Sequence, residues 1–384
     1  MQDERIYWIW LSQTLGSANY KSKAILNFFN IRDFYKAGEK EFKLCGFFSI
    51  REIEKLVNSN LEEAKSILDE CQNFGYEVIC ITDFRYPKLL KEIRNPPCVL
   101  YCKSQKFDFS KKAFVSVSMV GTRAASEYGL DTAYKLAFKL AKNDITVVSG
   151  GALGIDSAAH KGALDANGKT VAVLGCGINC KYLAKNELLR EKIFEKGAIL
   201  SEFPANFPAV PRNFPLRNRI ISGISLGTIV VEADKRSGSL ITARLALKQN
   251  RDLFSVPGGI FNKTSTGTNL LIKHGAKPLL SVQDILKRYK SELFNKSLKF
   301  SGKNVQNTTP DNSINSKKSI NKEDVLKKVS QNSQVVFKIL KNEMYIDEIY
   351  MQTNLSAQKI ASSISELEIY GLVKSLSGER VVRA

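Results

Sequence analysis

The stretch from Val115 to Gly151 constrains this chain most, because its pattern fits one supersecondary unit. Val115-Ser-Val-Ser-Met-Val120 alternates apolar and small polar residues, the two-residue period of a strand. Gly121-Thr122-Arg123 follows at once. Leu130, Ala133, Tyr134, Leu136, Ala137, Leu140 and Ala141 then fall on one helical face. Ile145-Thr-Val-Val148 is a second short strand, closed by Ser149-Gly150-Gly151. The spacing predicts a βαβ unit with a small-residue turn after each strand. In open parallel sheets, ligands bind beyond the carboxyl ends of the strands. There, helix N-termini and bare backbone N–H groups converge on anions.

The order of apolar strand, Gly/Ser turn and helix repeats downstream. Thr170–Leu174 leads to Gly175-Cys-Gly177, and Thr228–Val231 leads to Glu232-Ala-Asp234 and Ser237-Gly238-Ser239. Asp252–Val256 leads to Pro257-Gly258-Gly259. The expected fold class is α/β: a doubly wound, Rossmann-like, mostly parallel sheet. Tyr76–Ile81 and Val99–Tyr101 read as strands that extend it, so this domain spans residues 71–284. Residues 1–70 read as a small helical domain. Residues 285–321 read as a flexible basic linker: between Leu286 and Lys318, eight Lys/Arg face two acidic residues. Residues 322–384 regain helical periodicity and lead through Tyr370-Gly-Leu-Val373 into Gly378–Val382, a winged-helix-like pattern. Its second-half helix, 356–370, carries one Lys and two Glu, so duplex reading and protein interaction both stand as roles.

The formal net charge of +19 favours a polyanionic partner, nucleic acid ahead of an anionic membrane. The plainer reading is a surface rich in solvated lysine. No secretory signal or membrane-spanning run is visible, so the expectation is a soluble, cytoplasmic protein that does not engage membranes. Seven cysteines form no disulfide framework. Cys98 with Cys102 and Cys176 with Cys180 lie in or beside apolar runs and read as small hydrophobes, not as zinc ligands.

Five turns are candidates for anion contact: Gly121-Thr122-Arg123, Ser149-Gly150-Gly151, Gly175-Cys-Gly177, Ser237-Gly238-Ser239 and Pro257-Gly258-Gly259. Glycine lets a ligand approach the backbone, and hydroxyls add donors. Glycine also ends many strands for steric reasons alone. No Gly-x4-Gly-Lys-Ser/Thr loop and no Gly-x-Gly-x-x-Gly fingerprint is present, so no nucleotide cofactor is expected. Catalytic groups are scarce. Of the two histidines, His160 reads as packed or capping rather than as a base. Asp156 reads as a brace of the Ser-Gly-Gly turn. Glu232 and Asp234 have no partner at telling spacing. No catalytic residue and no metal site are assigned. Phe203, Phe207 and Phe214 lie among Arg212, Arg217 and Arg219. Rings interleaved with arginines suit single strands, whose bases stack while guanidinium groups hold phosphates. The alternative is that the rings anchor the loop to the core.

These residues resemble the DprA/Smf family, the DNA-processing proteins of bacterial transformation. The matching motifs are Val120-Gly-Thr-Arg123, Ser149-Gly-Gly-Ala-Leu-Gly-Ile-Asp156 with Ala159-His160, Gly168–Gly175 and Leu200-Ser-Glu202. Phe214-Pro-Leu-Arg-Asn-Arg-Ile-Ile221, Glu232 with Ser237–Thr242, and Pro257-Gly-Gly259 before Gly275-Ala276 continue them. The match covers roughly residues 75–285. The helical front, SAM-like in that family, and the winged-helix-like tail are similar to accessory domains of many members.

The resemblance implies a non-enzymatic protein that binds incoming single-stranded DNA, protects it, and helps load the RecA recombinase during transformation and recombination. It implies a homodimer through the α/β domain, around Leu240–Leu247 and Leu270–Ile272. It makes Arg123 the leading DNA contact, followed by Arg212, Phe214, Arg217, Asn218 and Arg219, with Lys185 a further one. Two positions depart from the family pattern. Leu153 stands where the family has a basic residue, and Tyr182-Leu183 replaces its Tyr-Pro pair. The alternative is a phosphoribohydrolase acting on nucleotides. Such enzymes carry Pro-Gly-Gly-x-Gly-Thr-x-x-Glu, but here Pro257-Gly-Gly259 is far from Gly267-Thr268 and Leu271 stands in place of the Glu.

Overall fold

The computed structural model describes residues 3–19, 21, 25–26, 30–105, 107, 109, 114–182, 186–289, 329–340, 344–353, 355–369, 372–376 and 380–383. Lys185 and most of the basic linker lie outside the described residues. The chain divides into two compact units, residues 1–305 and 306–384.

The first unit opens with helices α1 (Glu4–Leu15), α2 (Ile31–Lys36), α3 (Glu39–Leu44), α4 (Ile50–Asn58) and α5 (Glu62–Asn73). Asp3 caps α1 by accepting from the Arg5 N–H at 2.9 Å, and Ser49 and Glu52 form a capping box on α4. Trp8, Trp10, Phe34 and Phe42 are buried between these helices, and the Trp10 indole N–H donates to Ser59 at 2.7 Å. The strands and helices that follow are β1 (Glu77–Cys80), α6 (Lys88–Glu92), β2 (Val99–Ser104), β3 (Ser116–Val120), α7 (Glu127–Lys142) and β4 (Thr146–Ser149). Next come α8 (Ile155–Asp165), β5 (Thr170–Leu174), α9 (Glu187–Lys196), β6 (Ala198–Ser201), α10 (Asn213–Gly223) and β7 (Gly227–Val230). The unit ends with α11 (Ser239–Lys248), β8 (Asp252–Ser255), α12 (Thr266–Lys273), β9 (Lys277–Pro278) and α13 (Val282–Arg288).

Nine strands form one sheet in the order β1-β2-β6-β5-β4-β3-β7-β8-β9. Strands β3 to β9 pair in parallel, while β1 and β2 add an antiparallel extension on β6. The chain winds outward from β3 to β6, then returns to β7 on the other side of β3 and winds outward again. This is the doubly wound α/β architecture expected, and its direction reverses between β3 and β7.

One detail departs from the strand pattern. Alternation of apolar and polar residues ordinarily marks a strand with one wet face, yet every residue of β3 is buried. The alternating hydroxyls are spent inside. Ser116 and Ser118 donate to the carbonyls of Ile224 and Ile221 at 2.9 and 2.6 Å, and Ser255 donates to Thr268 at 3.0 Å. The two β3 hydroxyls thus satisfy carbonyls at the C-terminal end of α10 that lack intrahelical partners.

Two buried polar arrangements tie the unit together. Arg219 on α10 and Glu202 after β6 are each 3% exposed and pair through both guanidinium nitrogens, at 2.8 and 2.5 Å. Arg219 also donates to Asn95 O at 3.0 Å, and Glu202 accepts from the Ala18 N–H at 3.1 Å. One ion pair therefore joins the helical front, the β1–β2 segment, β6 and α10. The second arrangement centres on His160, fully buried in α8. The Thr170 hydroxyl donates to Val147 O, so it accepts from the His160 Nδ1–H at 2.7 Å. Nε2 is left as a buried acceptor without a partner among the described residues. Burial, and secondarily the positive Arg217, push this imidazole down to about 3.

In the second unit, α14 (Gln331–Ile339), α15 (Ile346–Thr353) and α16 (Ala357–Ile369) pack with a small sheet of β10 (Met344–Tyr345), β11 (Val373–Leu376) and β12 (Arg380–Arg383), ordered β10-β12-β11. A strand between the first two helices and a hairpin after the third is winged-helix order. Val336, Leu340, Ile349, Ile360, Leu367 and Val381 form its core. Glu366 of α16 accepts from the Ser330 and Ser333 hydroxyls at the start of α14, so it serves packing.

Removing one partner of a buried ion pair leaves an uncompensated charge, so Glu202→Ala is expected to cost about 3–5 kcal/mol, read as a lowered urea midpoint. A loss below about 1 kcal/mol would show that the pair holds little. His160 supplies stability that is complete above the unfolded value of 6.5 and is lost as pH falls towards 3, because only the unfolded chain takes the proton there. The slope is about 1.4 kcal/mol per pH unit. His160→Gln is expected to flatten the stability profile between about pH 6.5 and 4.5 relative to the native chain, and parallel profiles would refute this.

Candidate nucleic-acid interface

The reversal between β3 and β7 leaves a crevice at the carboxyl ends of the strands, with a volume of about 710 Å³. The β3 turn (Gly121, Thr122, Arg123) forms one side and the loop into α11 (Ser237, Gly238, Ser239) the other. The start of α10, with Phe214, Arg217 and Asn218, closes the end. Thr122 N–H donates to Glu232 O at 2.9 Å, which joins the two turns. A Cβ on Gly121 would lie 2.5 Å from Ile155 Cγ1, so only glycine fits that corner. The Glu232 carboxylate is 2% exposed and accepts from Ser126 N–H and Oγ and from Thr264 Oγ1 at 2.9, 2.5 and 3.1 Å. It fixes the α7 N-terminus and is closed to a substrate.

Arg123 is exposed at the mouth, with its guanidinium carbon 5.9 Å from the centroid of the half-buried Phe214 ring. It makes no ion pair or hydrogen bond among the described residues. Tyr182 packs on Phe214 with centroids 4.9 Å apart and also lines the crevice. Ser237 and Ser239 share a hydroxyl hydrogen bond at 2.8 Å beside the α11 N-terminus, whose partial positive charge favours an anion. The arrangement offers an unpaired cation, two ring faces and hydroxyl donors. Among the described residues, no group of three or more His, Cys, Asp or Glu is placed to hold a metal, and no helix is long and apolar enough to cross a membrane.

The structure separates residues that the sequence placed together. Ser149, Gly150 and Gly151 are buried, and the Ser149 hydroxyl donates to Met119 O at 2.6 Å. The Gly150 and Ala152 N–H groups donate to Asp156 at 3.2 and 3.3 Å. The Ser149 hydroxyl and the Gly150 N–H are therefore consumed internally, and Asp156 is the brace its position implied. Burial raises the Asp156 carboxyl above the usual range. Arg217 works from below: it is 5% exposed and donates to Gly150 O at 2.8 Å and to Val173 O. Burial pushes it down to about 10, against the pull of Asp156. Arg217 is thus a strut beneath the crevice, and Arg219 on the same helix belongs wholly to the core pair with Glu202.

Two further candidates lie off the crevice. Gly258 and Gly259 do not line it, and the Gly258 N–H donates to the Asn269 side chain at 3.2 Å. Arg212 is exposed but lines a different cavity. Two features escaped sequence reasoning. Tyr182 reaches Phe214 only through the fold, although an aromatic in a Gly-rich loop was a usable signal. Exposed Lys235 and Arg236 precede Ser237 on its loop, where charge beside a small-residue turn marks them.

A family model described as DNA recombination-mediator protein A matches residues 77–290. The protein Smf of a Synechocystis species is 37% identical over 288 residues, 74% of this chain and 72% of that protein. The X-ray structure of DNA processing protein A from Streptococcus pneumoniae aligns with a TM-score of 0.62 and 31% identity, over 73% of this chain and 97% of that one. DNA processing protein A from Helicobacter pylori, whose structure is described as giving insight into its single-stranded DNA binding mode, aligns with a TM-score of 0.50 and 31% identity. It covers 56% of this chain and 96% of that one. With the family model spanning more than half its length, the chain belongs to the DNA recombination-mediator protein A family.

Proposed function

We propose that the crevice between β3 and β7 holds single-stranded DNA, and that the protein protects incoming strands and helps load the RecA recombinase during transformation and recombination. The observation that carries this is Arg123, an exposed and unpaired guanidinium set beside a ring pair in a crevice at the sheet's switch point. Phosphates meet Arg123 and the Ser237–Ser239 corner, and bases meet Phe214 and Tyr182. Such contacts tolerate any sequence, because every base has a stacking face. Likeness to the pneumococcal DNA processing protein and to the Helicobacter protein with its single-stranded DNA binding mode supports the reading, as does the net charge of +19.

The same reading includes a homodimer through the late helices of the α/β domain. Leu247 on α11 is 54% exposed and Leu270 on α12 is 37% exposed, which supports an apolar face there for a second copy.

A mobility-shift series with single-stranded and duplex DNA at increasing salt tests the proposal. The native chain is expected to prefer the single strand and to weaken steeply with salt. Arg123→Ala should lower affinity about tenfold or more and reduce the salt slope by about 0.7. Phe214→Ala should cost about 1–3 kcal/mol of binding. Equal binding by native protein and both variants at physiological salt would overturn the assignment.

A further inference from the structure

A second cavity, about 380 Å³, opens behind the loop that walls the crevice. Ala209, Pro211 and Phe214 face the crevice, while Phe207, Arg212 and Leu216 face this cavity. Its opposite wall is the end of α1 and the turn after it, including Gln13. The site is therefore built between the helical front and the α/β sheet, which share one continuous core.

Its lining has three features that point to a ligand. Phe207 stacks on the buried Phe203 with centroids 5.0 Å apart, which presents a supported, half-exposed ring. Arg212 is exposed and makes no ion pair or hydrogen bond among the described residues. Asn213 is 5% exposed, lines the cavity, and its Nδ2 has no hydrogen-bond partner among the described residues. A buried unpaired donor costs stability unless something meets it. The one carboxylate in the lining, Glu202, is neutralised by Arg219 and does not oppose an anion at the mouth.

We propose that this cavity is a second subsite for the same single strand. One base lies on Phe207 with a polar edge towards Asn213, and the adjoining phosphate pairs with Arg212. The inference rests on the single-strand reading of the crevice. The loop between the two cavities carries the path: a strand that fills the crevice crosses the Pro211 ridge and continues into the second cavity. Arg212 is thus a DNA contact, as its position beside Phe214 suggested, but in a site of its own.

The test compares a short strand of about two nucleotides, which a crevice of about 710 Å³ seats without the second cavity, with a long strand of about thirty, using fluorescence anisotropy and the full chain. Arg212→Glu and Phe207→Leu are expected to bind the short strand as the native protein does and the long strand about tenfold more weakly. The salt slope for the long strand should fall by about 0.7 in Arg212→Glu. Strands carrying 5-iodouracil are expected to crosslink to Phe207 in the native protein, a readout that needs no variant. Native-like binding of the long strand by both variants, with crosslinks only at Phe214 or Tyr182, overturns the second subsite and leaves the crevice intact. A native chain that binds neither strand overturns both.

Discussion

Helix α10 is held by two buried guanidinium groups, and the functional end of the sheet depends on how it is held. Arg217 reaches to the β4 and β5 ends and donates to Gly150 and Val173. Arg219 reaches to Glu202 after β6. Burying two cations is tolerable because each finds acceptors, backbone carbonyls for Arg217 and a carboxylate for Arg219. Together they fix the rotation of the helix, and that rotation sets Phe214 and Asn218 against the crevice. The same charges that read as ligands in the sequence are what make the site rigid.

This division of labour leaves the turn that carries Arg123 free. Gly121-Thr122-Arg123 lies at the switch point, where helices diverge and leave room above the strand ends. Ser149-Gly150-Gly151 lies one strand away, under α10, where the cavity beside it is about 20 Å³. Its donors must be satisfied by the protein itself, and Asp156 does so. A glycine-rich corner is an anion site only where the topology leaves it uncovered. Arg123 is exposed at the mouth, while Arg217 and Arg219 on α10 are drawn inward.

The helical front contributes to more than stability. Its core is continuous with that of the sheet, through residues from Trp8 to Val173. It also supplies one wall of the cavity that holds Arg212. The stretch of residues 203–216, a loop running into the first turn of α10, therefore has two working faces. Its prolines and its paired rings, Phe203 with Phe207 and Phe214 with Tyr182, hold those faces in place. In the second unit, Glu366, one of the two acidic residues of the helix whose role the sequence left open, fastens the start of α14.

By itself, the sequence determined the βαβ order, the parallel sheet and the identity of the turns. These follow from local periodicity and from glycine and serine at strand ends, which depend on neighbours only a few residues away. It also determined Asp156 as a brace and His160 as a packed residue, because Asp156 is close in the chain to the N–H groups it accepts from and His160 sits among small side chains. Only the tertiary structure decided which arginine faces solvent. Arg212, Arg217 and Arg219 are near neighbours in the chain but point into three environments, because successive helical residues turn by about 100°. It alone decided that the hydroxyls of β3 are buried, since a strand's wet face exists only if no helix covers it. Exposure is a property of what packs on a residue, and that partner is usually far away in the chain.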